Sequence, residues 1–306
     1  MGIIKFWPER PLSDLILIRE VIKMPVKTST PLRYPGGKAK LIKYTSELLQ
    51  KNGYWGCTYV EPFAGGAGLA IQLLFDGVVD KLLLNDKDRS VYALWHSILH
   101  NTDSLIELIQ STDLNITEWR NQKEVQKKKE CVDLLTLGFS TLFLNRTNRS
   151  GILSAGPIGG KSQNGKYKLD CRFDKNDIIE RIRRIADEQH RIEFYNFDAA
   201  YFIEKIVNPL TENVFIFFDP PYHIQGPGLY MNHYKENDHD DLSKIISNVT
   251  HPWLVTYDNT ELIRSLYSDY EITTYNLNYS AQNAQVGTEL MIYSNNIQSI
   301  PIKSAH

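Results

Sequence analysis

The residues with the clearest chemical potential in this sequence are Asp219-Pro220-Pro221-Tyr222. They directly follow residues 214–218, an unbroken apolar run. A run this short, rich in bulky and β-branched side chains, predicts a strand buried on both faces, as in a parallel sheet. The two prolines end the strand because neither can donate a ladder hydrogen bond. Asp219 is therefore expected at the carboxyl end of a central strand, where open α/β sheets bind their ligands.

This arrangement suits a planar ring that carries an amino group. A carboxylate and the neighbouring backbone carbonyls accept hydrogen bonds from an amine. The ring of Tyr222 offers a stacking surface, which is worth about 1–3 kcal/mol for a nucleic-acid base. The alternative is an ordinary strand end with a solvated aspartate.

Two glycine-rich turns precede this stretch. Residues 33–38, RYPGGK, form a Pro-Gly-Gly turn before a predicted helix at 39–50. Residues 61–68, EPFAGGAG, lie between a predicted strand at 58–60 and a helix that begins at 69. The order strand, glycine loop, helix is typical of nucleotide-binding α/β folds. The second turn lacks both GxGxxG and a GK[ST] ending, which disfavours a dinucleotide and a phosphate cradle.

A carboxylate follows the next predicted strand, at 81–84. Asp86 falls 20 residues after Gly66, close to the spacing at which an acid binds ribose hydroxyls. The alternative is that Asp86 caps the helix at 90–100. Asp88 is better placed for that cap, which leaves Asp86 for a ligand.

With these three motifs in this order, the chain resembles the Dam-like (D12 class) DNA adenine-N6 methyltransferases from about residue 30 to about residue 295. The resemblance implies site-specific methyl transfer from S-adenosylmethionine to adenine N6 of a base flipped out of duplex DNA. It implies that Asp219 and the Pro220 carbonyl hold the amine while Tyr222 stacks on the ring. Transfer would be direct, with no covalent enzyme intermediate and no metal.

The resemblance also implies a cofactor site. Lys38 would meet the carboxylate of S-adenosylmethionine, or else be a solvated lysine at a helix start. Phe197 would stack on the cofactor's adenine and Asp198 would accept from its amine, although Asp198 is also suited to cap a helix at 199–207. The candidate cofactor-binding residues are Tyr34, Lys38, Phe63, Gly65, Asp86, Phe197, Asp198 and Asp219.

A basic segment lies between the motifs. Residues 143–184 hold ten Lys/Arg and four Asp/Glu, a local net charge of +6 in a chain of net charge −2. Gly, Asn and Ser in this segment predict turns and a hairpin, and Arg and Asn are the side chains that pair with guanine and adenine edges. The alternatives are a solvated charged face or a flexible loop over the active site. The candidate DNA contacts are Arg146, Asn148, Arg149, Lys161 and Lys166.

These features predict an α/β fold, with a Rossmann-like, S-adenosylmethionine-dependent methyltransferase sheet that is mostly parallel and has an antiparallel closing strand. We expect a catalytic domain at 28–110 and 190–296, and an inserted helical and hairpin target-recognition subdomain at 111–189. Residues 134–144 would be a core helix or strand. Residues 297–306 would be a loose tail. Residues 1–27 form an extension of unknown role, with a helix near 12–23 that packs on the body or a protein partner, unless Met24 is the true start.

Composition sets broad limits. No apolar run approaches the roughly 18 residues of a membrane span, and no signal peptide is evident. Three widely spaced cysteines indicate reduced thiols and show no zinc spacing. We therefore expect a cytoplasmic protein, and the resemblance implies that it is prokaryotic or phage-encoded.

Other functions remain open at this stage. The acceptor could be cytosine N4 or an RNA adenine, because the same motif serves other exocyclic amines. A protein of another class, a catalytically silent DNA-binding subunit of a defence or regulatory complex, is disfavoured by the intact Asp219 motif and glycine loop. Recognition sequence, oligomeric state and biological setting, such as restriction–modification, are not readable from these residues.

Overall fold

The part of the chain that the structure describes is built on one seven-stranded sheet. The computed structural model describes residues 29–33, 38–224, 234–278 and 286–301. The strands are β1 Cys57–Glu61, β2 Val79–Asn85, β3 Ile192–Tyr195, β4 Val214–Phe218, β5 Trp253–Asp258, β6 Glu271–Asn278 and β7 Val286–Tyr293. Their spatial order is β3-β2-β1-β4-β5-β7-β6. Strands β3, β2, β1, β4 and β5 run parallel to one another, and β7 is antiparallel to both β5 and β6. The predicted α/β fold with an antiparallel closing strand is confirmed.

The strand β4 occupies the middle of the sheet, between β1 and β5, and all five of its side chains are buried. Its successive residues enter different cores. Phe215 and Phe217 pack in one hydrophobic cluster, whereas Ile216 and Phe218 pack in the other. Successive side chains of a strand point to opposite faces, so a strand covered on both sides must be apolar throughout. The prediction of a doubly buried strand at 214–218 is confirmed.

Helices cover the two faces of the sheet. They are α1 Ile42–Lys51, α2 Gly68–Phe75, α3 Arg89–His100, α4 Thr102–Ser111, α5 Ile116–Lys127, α6 Leu134–Thr147, α7 Lys175–Asp187, α8 Ala199–Phe202, α9 Glu236–Ser247 and α10 Glu261–Leu266. A 3₁₀ turn at Lys38–Leu41 leads into α1. No helix among the described residues is long and apolar enough to cross a membrane.

The helix α6 resolves the choice between helix and strand for residues 134–144. It begins where Asp133 accepts a hydrogen bond from the Thr136 amide at 2.9 Å, and it packs closely on α3. A β-carbon added at Gly138 would lie 2.5 Å from the Ala93 carbonyl oxygen and 2.5 Å from Ser97 Oγ. Glycine is therefore needed where the two helices approach.

The predicted hairpin in the basic segment is wrong. Between α6 and α7 the structure has a single isolated bridge, Asn148 to Pro157, and otherwise turns. Gly159 and Gly160 both have positive φ, 83° and 76°, which bends the chain away from an extended ladder. The side chain of Gln163 then binds the backbone at Ile158, Gly160 and Leu169, so side-chain bonds replace strand pairing.

The predicted loose tail is also wrong in its first part. Ile297 is buried, and the side chain of Asn52 bonds both the amide and the carbonyl of Gln298. Residues 297–300 therefore pack along α1. Residues 1–28, including the predicted helix near 12–23, lie outside the described residues, as do residues 302–306.

The order in which the chain adds strands to the sheet reverses between β1 and β4. The chain continues from β1 to β2 on one side, while β4 and β5 extend the sheet on the other. A crevice forms beyond the carboxyl ends of the strands at such a switch point. Glu61 ends β1 and Asp219 directly follows β4. The two carboxylates therefore meet at this edge.

We expect Gly138→Ala to destabilise the protein by about 1–3 kcal/mol, because the added methyl group overpacks the α3–α6 contact. Urea unfolding would measure this change in the free energy of unfolding. Gly156→Ala is the control, since its methyl group would meet only the flexible end of Arg149, at 3.3 Å. Equal stability of both variants would contradict the close packing described for α3 and α6.

Candidate active site

A buried lysine marks the centre of the site. Lys38 Nζ lies 3.1 Å from Asp219 Oδ1, 2.6 Å from the Tyr222 hydroxyl and 3.5 Å from Glu289 Oε2. Lys38 is 6% exposed, because the 3₁₀ turn directs it into the sheet edge rather than into water. The alternative of a solvated lysine is therefore wrong.

Asp219 is the part of this cluster that solvent reaches. Its side chain is 20% exposed, whereas those of Lys38 and Glu289 are almost completely buried. Thr256 donates a hydrogen bond to its Oδ1 at 2.7 Å. Burial raises the pKa of Asp219, and the charge of Lys38 opposes that rise. Among the described residues, hydrogen bonds to Asp219 all use Oδ1, which leaves Oδ2 for a ligand.

Tyr222 is a buried member of the cluster. Its hydroxyl donates to Glu289 at 2.7 Å and accepts from Lys38, whose Nζ lies 4.8 Å from the ring centroid. The predicted stacking of Tyr222 on a base remains a prediction. In this conformation the ammonium of Lys38 lies at the hydroxyl end of the ring.

Two carboxylates at the site, Glu61 and Glu289, were not predicted as site residues from the sequence. Glu289, on β7, accepts from the hydroxyls of Tyr222 and Tyr275. Glu61 is buried at the end of β1, and its Oε1 has no hydrogen-bond partner in the described parts of the chain. Burial raises the pKa of Glu61 to about 8, and the negative charge of Asp219 adds to the effect. Glu61 stands in a motif that the sequence analysis quoted, but Glu289 had no local signal.

Asp86 holds the glycine loop. Its Oδ2 accepts from the Gly65 amide and its Oδ1 from the Asp88 amide, both at 2.9 Å. Burial raises its pKa to about 7. Asp88 accepts from the Ser90 amide at 3.0 Å and caps α3, as predicted. Asp86 is thus released from capping and lies directly beside the loop.

Asn85 joins the loop to the end of β3. Its side-chain amide donates to the carbonyls of Pro62 and Phe197 and accepts from the Phe197 amide, at 2.9–3.1 Å. This fixes Phe197 near the glycine loop with its ring 37% exposed and 5.0 Å from the Tyr201 ring. Asn85 was not among the predicted site residues, although it occupies a strand end beside Asp86.

The other predicted cofactor residues are less sharply placed. Phe63 is half-buried, with its ring edge-on to Tyr234 at 6.2 Å. Asp198 caps α8 by accepting from the Ala200 amide at 3.0 Å and pairs with Lys87 at 2.9 Å. The capping alternative for Asp198 is therefore observed, and its contact with a cofactor remains a prediction. Tyr34 lies outside the described residues.

Comparison with known proteins decides the family. A model of the D12 class N6 adenine-specific DNA methyltransferases matches residues 34–281, most of the chain. The chain belongs to this family. It is therefore an adenine-specific DNA methyltransferase, and Lys38, the glycine loop and Asp219 at the edge described above belong to the motifs on which the resemblance was based.

Curated relatives agree at low identity. The Retron Ec67 DNA adenine methylase of Escherichia coli is 25% identical over 251 residues, 79% of this chain and 81% of that one. The type II methyltransferase M.CviBI of Paramecium bursaria Chlorella virus NC1A is 23% identical over 269 residues, 85% and 95% of the two chains. The type II methyltransferase M.MjaIII of Methanocaldococcus jannaschii is 22% identical over 227 residues, 70% and 76%.

Two of the predicted DNA contacts of this methyltransferase are buried. Asn148 accepts from Trp119 Nε1 at 2.7 Å and donates to the carbonyls of Ile152 and Leu153, so its amide is fully used inside the protein. The prediction that Asn148 contacts DNA is therefore wrong for this conformation. Arg146 is 8% exposed, and burial together with the charge of Arg181 lowers its pKa to about 10. Its guanidinium likewise faces the protein interior.

The remaining predicted DNA contacts of the methyltransferase lie on its surface. Arg149, Lys161 and Lys166 are exposed, and Lys166 lies 5.7 Å from the centroid of the exposed Tyr167 ring. Asn145 supports the base of this loop by bonding the amide and carbonyl of Arg33. Within the described ranges, no group of three or more His, Cys, Asp or Glu is arranged to hold a metal ion.

We expect Glu61→Gln to change how stability depends on pH. The folded carboxyl keeps its proton up to about pH 8, whereas the unfolded one loses it near 4.5. The folded state therefore binds more protons in this window, and the free energy of unfolding of the wild type falls as pH rises through it. Each unit of raised pKa corresponds to about 1.4 kcal/mol.

Removing the titrating group should make the variant progressively more stable than the wild type from about pH 5 to about pH 8. Denaturant unfolding at several pH values measures the difference, with exposed Glu180→Gln on α7 as control. Parallel curves for Glu61→Gln and the wild type would show that Glu61 titrates normally.

Proposed function

We propose that this methyltransferase transfers a methyl group from S-adenosylmethionine to adenine N6 in duplex DNA, with Asp219 holding the amine. The supporting observation is that Asp219 Oδ1 already accepts from a nitrogen, Lys38 Nζ, at 3.1 Å. The end of β4 is thus shaped to hold an N–H donor against a carboxylate. The amino group of an adenine presents the same kind of donor.

The residues at the sheet edge fit S-adenosylmethionine. This molecule combines a positively charged sulfonium and ammonium, two ribose hydroxyls and an adenine ring. The buried Glu61 oxygen without a partner can accept from an N–H donor such as the ammonium, Asp86 beside the glycine loop suits a ribose, and the exposed Phe197 ring suits an adenine. When bound, the donor supplies an electrophilic methyl group on sulfur.

The protein's part in the reaction is to position the amine. Asp219 and the Pro220 carbonyl accept its two N–H bonds and direct the nitrogen toward the methyl group. Such positioning contributes a large share of catalysis, and preorganised dipoles around the amine contribute further. The closed cluster of Thr256, Lys38 and Asp219 restrains the carboxylate before the substrate arrives.

Lys38 is proposed to leave this position when the substrate enters. The target amino group and the ammonium of Lys38 then compete for Oδ1, the oxygen that Thr256 restrains, while Oδ2 stays open. The predicted contact between Lys38 and the carboxylate of S-adenosylmethionine belongs to this second state. In the conformation described, Lys38 instead occupies the place that the amine would take.

The exposed basic loop would bind the DNA. Because N6 is hidden in the base stack, the adenine must flip out at a cost of a few kcal/mol. Arg149, Lys161 and Lys166 are available for phosphate or base contacts, since all three are exposed. The type II relatives support action at one short recognition sequence.

Expression in a methylation-deficient host tests the proposal. Methylation-aware long-read sequencing should find N6-methyladenine at one short motif with the wild type, and at least a 100-fold loss with Asp219→Ala, because the amine loses its positioning carboxylate. Exposed Asp241→Ala on α9 is the matched control. Unchanged methylation by Asp219→Ala would rule out the assigned role. Methylcytosine or modified RNA would point to the other acceptors.

We also expect Lys161→Ala and Lys166→Ala to weaken DNA binding similarly across sequences. Loss of one phosphate contact should reduce the slope of log affinity against log salt by about 1. Fluorescence anisotropy at several salt concentrations measures the slope, and exposed Lys244→Ala on α9 serves as control. A slope that stays at the wild-type value would place DNA elsewhere on the protein.

A further inference from the structure

We propose that Glu289 is a positioning residue for methyl transfer: it fixes the hydroxyl of Tyr222 and retains the ammonium of Lys38 when the target amine replaces that ammonium at Asp219. This inference rests on the proposed function and adds a residue from the last strand of the sheet.

The reversal of β7 brings Glu289 to the reaction edge. In the sheet, Glu289 is paired with Asp258 at the carboxyl end of β5 and with Tyr275 on β6. Because β7 runs antiparallel to β5, its early residues lie where the parallel strands end. A parallel strand at this place would have put those residues at the opposite edge of the sheet.

Three polar groups converge on the carboxylate. Oε2 of Glu289 accepts from the hydroxyl of Tyr222 at 2.7 Å and from that of Tyr275, and it lies 3.5 Å from Lys38 Nζ. The side chain is 1% exposed. A buried carboxylate is stable only when it is paired and hydrogen-bonded. Here the partners of the Glu289 carboxylate include Tyr222, the candidate stacking residue, and Lys38, the lysine that is proposed to move.

Lys38 lies between two carboxylates. Its Nζ is 3.1 Å from Asp219 and 3.5 Å from Glu289. An incoming adenine amine is neutral, so it replaces the ammonium at Asp219 without replacing its charge. Glu289 remains beside Lys38 as a second anion. It therefore lowers the free energy of the state in which Lys38 has left Asp219 and the amine has taken its place. It also keeps the Tyr222 ring in place during the exchange.

Removal of the charge should therefore slow the reaction without unfolding the protein. Glu289→Gln keeps the size of the side chain and one acceptor oxygen, but it removes the negative charge 3.5 Å from Lys38 Nζ. We expect the single-turnover rate at saturating DNA and cofactor to fall on the order of 10–100-fold, as for other misplaced catalytic groups. Cofactor affinity and melting temperature should stay at wild-type values.

Two further variants separate positioning from a structural role. Glu271→Gln, at the far end of the same β6–β7 ladder and exposed, should react at the wild-type rate. Tyr222→Phe removes the hydroxyl that Glu289 holds. If Glu289 acts in part through that hydroxyl, the double variant Tyr222→Phe/Glu289→Gln should lose less than the product of the two single losses.

The outcomes are distinct. A slower single turnover with unchanged melting temperature and a sub-multiplicative double variant supports the proposal. Any one of three results would overturn it. The Glu289→Gln variant could react within twofold of the wild-type rate, or its rate could fall only as far as its melting temperature falls. The rate loss of the double variant could also equal the product of the two single losses. Should Glu289→Gln not fold, Tyr275→Phe, which removes one donor from the carboxylate, must slow turnover, and a wild-type rate would overturn the proposal. An inactive wild type would contradict the proposed function itself.

Discussion

The ion pair between Lys38 and Asp219 is the interaction on which the site depends. Moving an ammonium and a carboxylate out of water is unfavourable unless further hydrogen bonds compensate. Each of those bonds comes from a different part of the fold: Thr256 from β5, Tyr222 from the turn after β4, and Glu289 from β7. The pair therefore exists only when the strand ends are correctly arranged. In return, it keeps the carboxylate of Asp219 oriented while one of its oxygens stays open to a ligand.

The order of strands explains how two kinds of chemistry meet at one edge. The ends of β1 and β2 present Glu61, the glycine loop and Asp86, which suit a cationic nucleoside. The end of β4 presents Asp219, which suits a neutral amine. Since β1 and β4 are adjacent, the two sets of residues are neighbours across the switch point. Burial raises the pKa values of both Glu61 and Asp219. The negative charge of Asp219 adds to the rise at Glu61, and that of Glu289 adds to the rise at Asp219.

Sequence reasoning succeeded where the signal is local. The apolar run of β4, the turn after β1 and the capping of α3 by Asp88 depend on residues a few positions apart, and the structure confirms all three. It failed where the determinant is distant in the chain. Glu289 reaches the site only through strand reversal. Residue type alone also gave a wrong prediction. Asn148 could pair with a base edge, but in the fold its amide bonds other parts of the protein. Side-chain hydrogen bonds of this kind leave no periodic pattern in the sequence.

The basic loop between α6 and α7 has ends that hydrogen bonds hold in place and side chains that are exposed. Asn145 and Asn148 tie its ends to Arg33, Trp119 and the backbone that follows α6, and Gln163 closes its turn from within. The exposed lysines take little part in this framework. Their replacement would change the charges and donors offered to DNA while the backbone path stays the same. Under the proposed function, surface substitutions can therefore change how strongly DNA is bound while the backbone of the loop and the strand ends around Asp219 stay the same.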